Sequence, residues 1–247
     1  MRNLAWMAGW LVAAGVTCAA CDDSSAGARV PEAVATAAVT TSAAPVPETP
    51  HAPDIVVDAS YVSVGTERIA SGEVAFSDKL AGMLSGRPLI AGAVVTFVAM
   101  RTVKPSQVAA VVAALRKAKA TGAVVKSEAR DGTTQSAPLS FTTTVADCTT
   151  VAWIGKEGVI DVWPAGGGAA KRVIKGLAGP DMTLGTEAMR KQWSSCGAPE
   201  LVAGADDVLT WGLVFDLAMS ALEAASTRVT AVVLDNAAVP GHKISLP

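Results

Sequence analysis

The stretch from Glu200 to Asp235 constrains this chain most. It reads as a short buried strand (Leu201 to Ala203), a turn carrying Asp206 and Asp207, an apolar-faced helix (Thr210 to Ala225) and a second strand (Val229 to Leu234). A similar order, strand, turn, helix and strand, occurs about a hundred residues earlier, from Ala93 to Lys126. The pattern predicts a duplicated unit rather than one irregular domain.

The elements ahead of each copy extend the parallel. Ile55 to Asp58 and Tyr61 to Val64 alternate as strands, Gly65-Thr66-Glu67 turns the chain, and Arg68-Ile69-Ala70 returns it. Ser77 to Ser85 places Leu80, Met83 and Leu84 on one helical face, with Ser77 or Asp78 as the expected cap. Ala93 to Met100 is a continuous apolar run of strand length, and Pro105 opens a helix bearing Val108, Val111, Val112 and Leu115, which Gly122 is expected to stop. In the second half, Thr149 to Trp163 reads as a hairpin around Lys156-Glu157-Gly158, expected to match the Gly65-Thr66-Glu67 turn. Gly166-Gly167-Gly168 reads as a flexible structural loop, since it lacks the spacing of a phosphate loop. Asp181 to Trp193 then gives a capped helix with Met189 and Trp193 on one face. The expected fold is α+β, as two small modules at 54–127 and 148–247 joined by a linker at 128–147. Each module puts about two helices on a short mixed sheet.

Residues 1–20 have the form of a secretory signal: Arg2, an apolar run from Leu4 to Val16, and small residues before Cys21. Three readings of this end stand. Cys21 is lipidated after cleavage, an ordinary signal is removed, or the segment stays as an anchor near the lower limit of about 17 residues for a spanning helix. The first is favoured, because Ala19-Ala20-Cys21 is similar to the end of a bacterial lipobox, with Cys18 where Leu is usual. All three place the body in an oxidising compartment. The remainder of 21–53 is rich in Ala, Thr, Ser and Pro. It has too little bulky apolar surface to offset chain entropy, so a disordered tether is expected, with a reach of about 30 Å as a flexible coil.

Composition narrows the partners. Of 247 residues 51% are apolar, but only 4% are aromatic, and the formal net charge is −2 without a Lys/Arg cluster. A nucleic-acid footprint is therefore not expected.

The run A-D-D-V-L-T-W-G-L-V-F-D-L-A-M-S-A (205–221), followed by V-T-A-V-V-L-D, resembles the periplasmic domain of the ExbD/TolR family of biopolymer-transport proteins. Asp206 falls on the family's acidic position and Trp211 near its aromatic one, and Asp206, Asp207 and Trp211 are candidate helix-capping or partner-contact residues. In the first copy Arg101 stands in place of the acid and Pro105 opens the helix. The resemblance implies dimerisation, here as a pseudo-dimer within one chain, together with contact to an envelope protein or peptidoglycan. Family members also carry a membrane Asp that takes protons, whereas Leu4 to Val16 holds no ionisable group. The resemblance thus covers the periplasmic module and not the motor part.

Cys148 and Cys196 lie at element ends of the second module and are expected to form a disulfide. A nucleophilic or metal-bound cysteine finds no support, since the two histidines, His51 and His242, fall in expected tails. For Asp206 and Asp207 two readings compete: caps for the following helix, or a carboxylate pair for acid–base chemistry. Capping is favoured, and no catalytic residue, cofactor or metal is assigned. Trp153 and Trp163 divide evenly between burial and an exposed partner-binding face. The favoured function is a non-catalytic lipoprotein on the periplasmic side of the cell envelope, held to the membrane by its lipid, that binds a protein partner or the cell wall. The alternatives are a membrane-anchored ExbD-type accessory of a proton-driven motor and a periplasmic enzyme using Asp206 and Asp207.

Overall fold

Alternating Val and Ile residues open the first half as a meander: β1 (Ile55–Val57), β2 (Tyr61–Val64) and β3 (Glu67–Ala70), paired antiparallel with Val56 opposite Ser63 and Ser63 opposite Arg68. The computed structural model describes residues 54–196, 200–224, 230–233 and 238–246. Cys21 and the expected signal and tether therefore lie outside the described residues, as does Asp235. After the meander come α1 (Phe76–Ser85), β4 (Val94–Ala99), α2 (Pro105–Lys117) and β5 (Gly122–Glu128). β4 lies parallel to both β1 and β5.

The second half repeats this order and these pairings. Its elements are β7 (Thr150–Ile154), β8 (Ile160–Pro164), β9 (Lys171–Val173), α3 (Met182–Ser194), β10 (Glu200–Ala205), α4 (Trp211–Ala224) and β11 (Thr230–Val233). β10 is parallel to both β7 and β11. Between the halves, the segment expected as a linker supplies β6 (Thr134–Leu139), antiparallel to β5 and parallel to β11. The fold is α+β, with a mixed 11-stranded sheet in the order β3-β2-β1-β4-β5-β6-β11-β10-β7-β8-β9. One core runs through both halves. Val95, Phe97 and Val125 share it with Ile160, Leu201 and Val233, and all four helices bury residues against that face.

Three local expectations are corrected. α1 starts at Phe76 behind Ala75, whose φ of 57° makes the turn without a side-chain cap. Ser77 and Asp78 sit inside the first turn, because Phe76 itself packs on the core. α2 stops earlier than Gly122: Lys119 takes the left-handed conformation (φ 65°), and Gly122 is already the first residue of β5. The Lys156-Glu157-Gly158 turn joins β7 to β8, so its counterpart is the β1–β2 connection at Asp58-Ala59-Ser60 and not Gly65-Thr66-Glu67.

The opposite face of the sheet differs between the halves. In the second half Val151, Trp153, Trp163 and Val202 form a second core with Ala238, Ile244 and Leu246 of the C-terminal segment. Trp163 donates from Nε1 to the His242 carbonyl at 2.8 Å, and the Ile244 N–H donates to Ala165 O at 2.9 Å. Burial is thus the reading that holds for both tryptophans. The glycine loop belongs to this seal, since a Cβ on Gly166 would lie 2.7 Å from the Asp147 Cβ and the Gly168 N–H donates to Gly241 O. In the first half none of the described residues covers this face at β4. β4 buries Val95, Phe97 and Ala99 but exposes Val94, Thr96 and Val98, which is why its continuous apolar run does not mean burial on both sides.

Candidate functional site

The two connections that the repeat makes equivalent, 100–104 between β4 and α2 and 206–210 between β10 and α4, meet at the junction of the halves. The backbone N–H of Trp211 donates to Val103 O at 2.7 Å, and that of Gly212 to Arg101 O at 2.9 Å. The first turn of α4 is therefore satisfied by carbonyls of the first half. In return, Asp207 Oδ1 accepts from the Ser106 N–H at 3.0 Å and caps α2. Asp206 closes its own turn by accepting from the Val208 N–H at 3.1 Å. Capping holds for Asp207, on the helix of the other half rather than on α4, where sequence alone placed it.

Arg101 spans this junction. Its guanidinium forms a two-pronged pair with Asp216 on α4 (Nη1–Oδ1 2.8 Å, Nη2–Oδ2 2.7 Å), and Nη1 also donates to Glu128 O at 2.6 Å. The hydrogen bond to Asp216 raises the Arg101 pKa above its ordinary value. Gly212 admits the side chain, because a Cβ there would stand 3.0 Å from three Arg101 atoms. Trp211 is buried with its ring centroid 6.1 Å from that of Phe215, so it is a core residue and not a partner contact. Asp216 escaped the sequence reading. Its signal was a lone acid within the apolar run W-G-L-V-F-D-L-A-M, where a carboxylate needs a partner.

The second feature is a groove at the far edge of the sheet, between β9 and α3, with a cavity of about 780 Å³. Among the described residues β9 is the last strand in the sheet order, with β8 on one side only. Apolar residues Val162, Val173, Leu184 and Ala188 line the groove together with the charged Lys171, Arg172, Glu187 and Lys191. Ile174 continues the apolar lining outward and is 75% exposed. Behind it, on the opposite face of β8, Asp161 is buried across from Arg172. Burial pushes the Asp161 carboxyl above its ordinary pKa, and the Arg172 charge opposes that shift. Neither Asp206 nor Asp207 lines this groove. Among the described residues no group of three or more His, Cys, Asp or Glu is placed to hold a metal ion.

Cys148 and Cys196 form a disulfide with Cα atoms 5.5 Å apart. The bond ties the segment before β7 to the end of α3, and so fixes the helix that walls the groove. No helix among the described residues is long and apolar enough to cross a membrane. Compared with known proteins, the chain matches no family model, no curated protein and no solved structure.

Proposed function

We propose that this chain is a non-catalytic lipoprotein of the bacterial envelope, resembling two ExbD/TolR periplasmic modules in one chain. In this reading it is anchored through Cys21 and binds a protein partner or the cell wall. The observation that carries the binding role is the open edge of β9 beside an apolar groove. An unpaired edge strand offers backbone donors and acceptors, and the groove offers a place for side chains. Against the alternative of an enzyme using Asp206 and Asp207, Asp207 caps a helix and Asp206 closes its own turn. A general acid or base would need a carboxylate free to exchange a proton at a substrate.

Chemical cross-linking of the full-length chain in its own membrane, followed by purification under denaturing conditions, tests the proposal. One envelope protein or a peptidoglycan fragment should copurify in defined ratio, and the intact mass should correspond to a diacylated chain beginning at Cys21. Recovery of a multi-span motor subunit instead, or a mass beginning at Met1 without an acyl group, would overturn it.

A further inference from the structure

We infer that the β9–α3 groove receives an extended peptide as a twelfth strand, with apolar and acidic side chains alternating into the cavity. The inference rests on the partner-binding reading above and narrows it to one class of ligand and one place. Three independent features of the groove converge on that ligand.

The first is the edge. β9 pairs with β8 through Ile160 opposite Val173 and Val162 opposite Lys171, and among the described residues no strand follows it in the sheet. Proteins commonly shield such an edge with charges, bulges or a covering helix. β9 is three residues long and carries two such charges, Lys171 and Arg172, which a pairing strand would have to answer, and beside it lies a cavity open to solvent. The second is the side-chain register. Lys171 and Val173 occupy the same face of β9 as the buried Val162 and Ile160, which is the face covered by α3. A strand added beside β9 would direct every second side chain toward this face. Those side chains would meet Leu184 and Ala188 on the helix and Val173 on the strand. The third is charge. Lys171 on the strand and Lys191 on the helix join the apolar lining, and Glu187 is the acid among them. Arg172, opposite Asp161 in the strand pairing, also lines the groove. The groove side is therefore net cationic on a chain whose formal net charge is −2, which selects a carboxylate next to an apolar side chain.

Ile174 gives the site an outer limit. It follows β9 directly and is exposed, although isoleucine has nothing to gain from water. A peptide lying along β9 would cover it. The neighbouring turn, closed by the bridge between Gly176 and Gly179, leaves the Leu177 side chain fully exposed. Lys171 and Lys191 together with Ile174 thus define a bounded surface for several residues of a partner rather than a site for a compact metabolite.

The probe is an array of hexapeptides in which Thr alternates with Val, Leu, Glu or Lys, measured by fluorescence anisotropy against the full-length protein in detergent micelles. Members combining one Val or Leu with one Glu in the alternating positions should bind saturably, and replacing that Glu by Lys should weaken binding roughly threefold to fivefold. Methylating the backbone nitrogens that face β9 should weaken it by about tenfold, because each lost strand hydrogen bond removes its share. Lys191→Glu, an exposed change that leaves the fold alone, should transfer the preference to the Lys-containing peptides. Ala188→Trp fills the groove and should abolish binding, with an unchanged circular dichroism spectrum as its folding control. The inference is overturned if no member binds the native protein better than the Ala188→Trp variant. It also falls if methylated and free peptides bind alike, or if soluble muropeptides occupy the groove and the array does not. A cross-linked partner that Ala188→Trp still retains would leave the function proposal standing and remove this inference alone.

Discussion

Replacing Asp216 by Asn leaves the shape of the junction and removes the charge that Arg101 grips. The two side chains are 12% and 26% exposed, which puts the pair between two regimes. A fully exposed pair contributes about 0–1 kcal/mol, whereas breaking a fully buried one costs about 3–5 kcal/mol because the survivor is left desolvated and unpaired. The near-burial of Asp216 and the two-pronged geometry favour the upper half of that interval, so Asp216→Asn should cost about 2–3 kcal/mol. Arg101→Met keeps the aliphatic stem over Gly212 but also loses the bond to Glu128 O. It should cost about 1 kcal/mol more. Urea unfolding of the two single variants and the double variant closes the cycle, with an expected coupling of about 1–2 kcal/mol. The corresponding fall in Tm for Asp216→Asn is about 4–12 °C. A coupling below about 0.5 kcal/mol would refute the reasoning, since additive losses are what independent sites give. Unfolding in two separate steps for the native protein would refute it differently, by showing that the shared sheet and core do not bind the halves into one cooperative unit.

The Cys148–Cys196 bond closes a loop with a sequence separation of 48; on the chain-entropy model its removal by paired Ser substitution should cost about 4 kcal/mol and lower Tm by about 8–16 °C. Two titratable thiols in the native oxidised protein would contradict the bond. Asp207→Ala should cost about 1 kcal/mol, and amide exchange should accelerate at the start of α2 rather than of α4; faster exchange confined to α4 would contradict the cap assigned from Ser106. Asp161 supplies a pH dependence. Its pKa is raised in the folded protein from 3.8, so the folded state holds its proton longer than the unfolded chain does. That contribution to stability is fully present below the unfolded pKa and is lost as pH rises through the folded one. Asp161→Asn should therefore remove a falling segment of the Tm profile that begins near pH 4 and raise stability at neutral pH, and an unchanged profile would count against burial as the cause.

Much of the fold was legible because its signals are local. Strands of alternating Val and Ile residues, the Pro at the start of α2 and Asp181 ahead of α3 all act within a few residues of themselves. The repeated order of elements followed from those signals alone. What sequence did not reveal depends on contacts made across the sheet. The acids at 206–207 looked like caps for the helix that follows them, because capping rules are written for neighbours in sequence. In the folded chain the start of α4 takes its acceptors from Arg101 and Val103, which leaves Asp207 to serve α2. The same limitation hid the groove. Nothing in K-R-V-I marks an edge strand until the sheet order puts β9 last. The strand character of 134–139 was weak because Thr, Gln, Ser and Pro occupy most of it. Pairing with β5 on one side and β11 on the other supplies what propensity lacks.

The junction also bears on why two such units sit in one chain. Arg101 matches Asp207, rather than Asp206 as the family resemblance aligned it, between the parallel strand and the helix, and the hydrogen bonds the two accept are reciprocal. The Gly212 N–H meets the carbonyl of Arg101, and the Ser106 N–H meets the carboxylate of Asp207. A symmetric dimer of identical modules would put the same residue at both positions. Two arginines would then converge where a single Asp216 now answers one, or two acids would converge with no guanidinium between the halves. Opposite charges at equivalent positions are possible here because the two halves of one chain differ in sequence. The bond from Trp211 to Val103 makes the same point. Its counterpart would start from Pro105, which has no N–H to give. The two helix starts are thus served differently, α2 by Pro105 and the Asp207 carboxylate and α4 by the carbonyls of Arg101 and Val103.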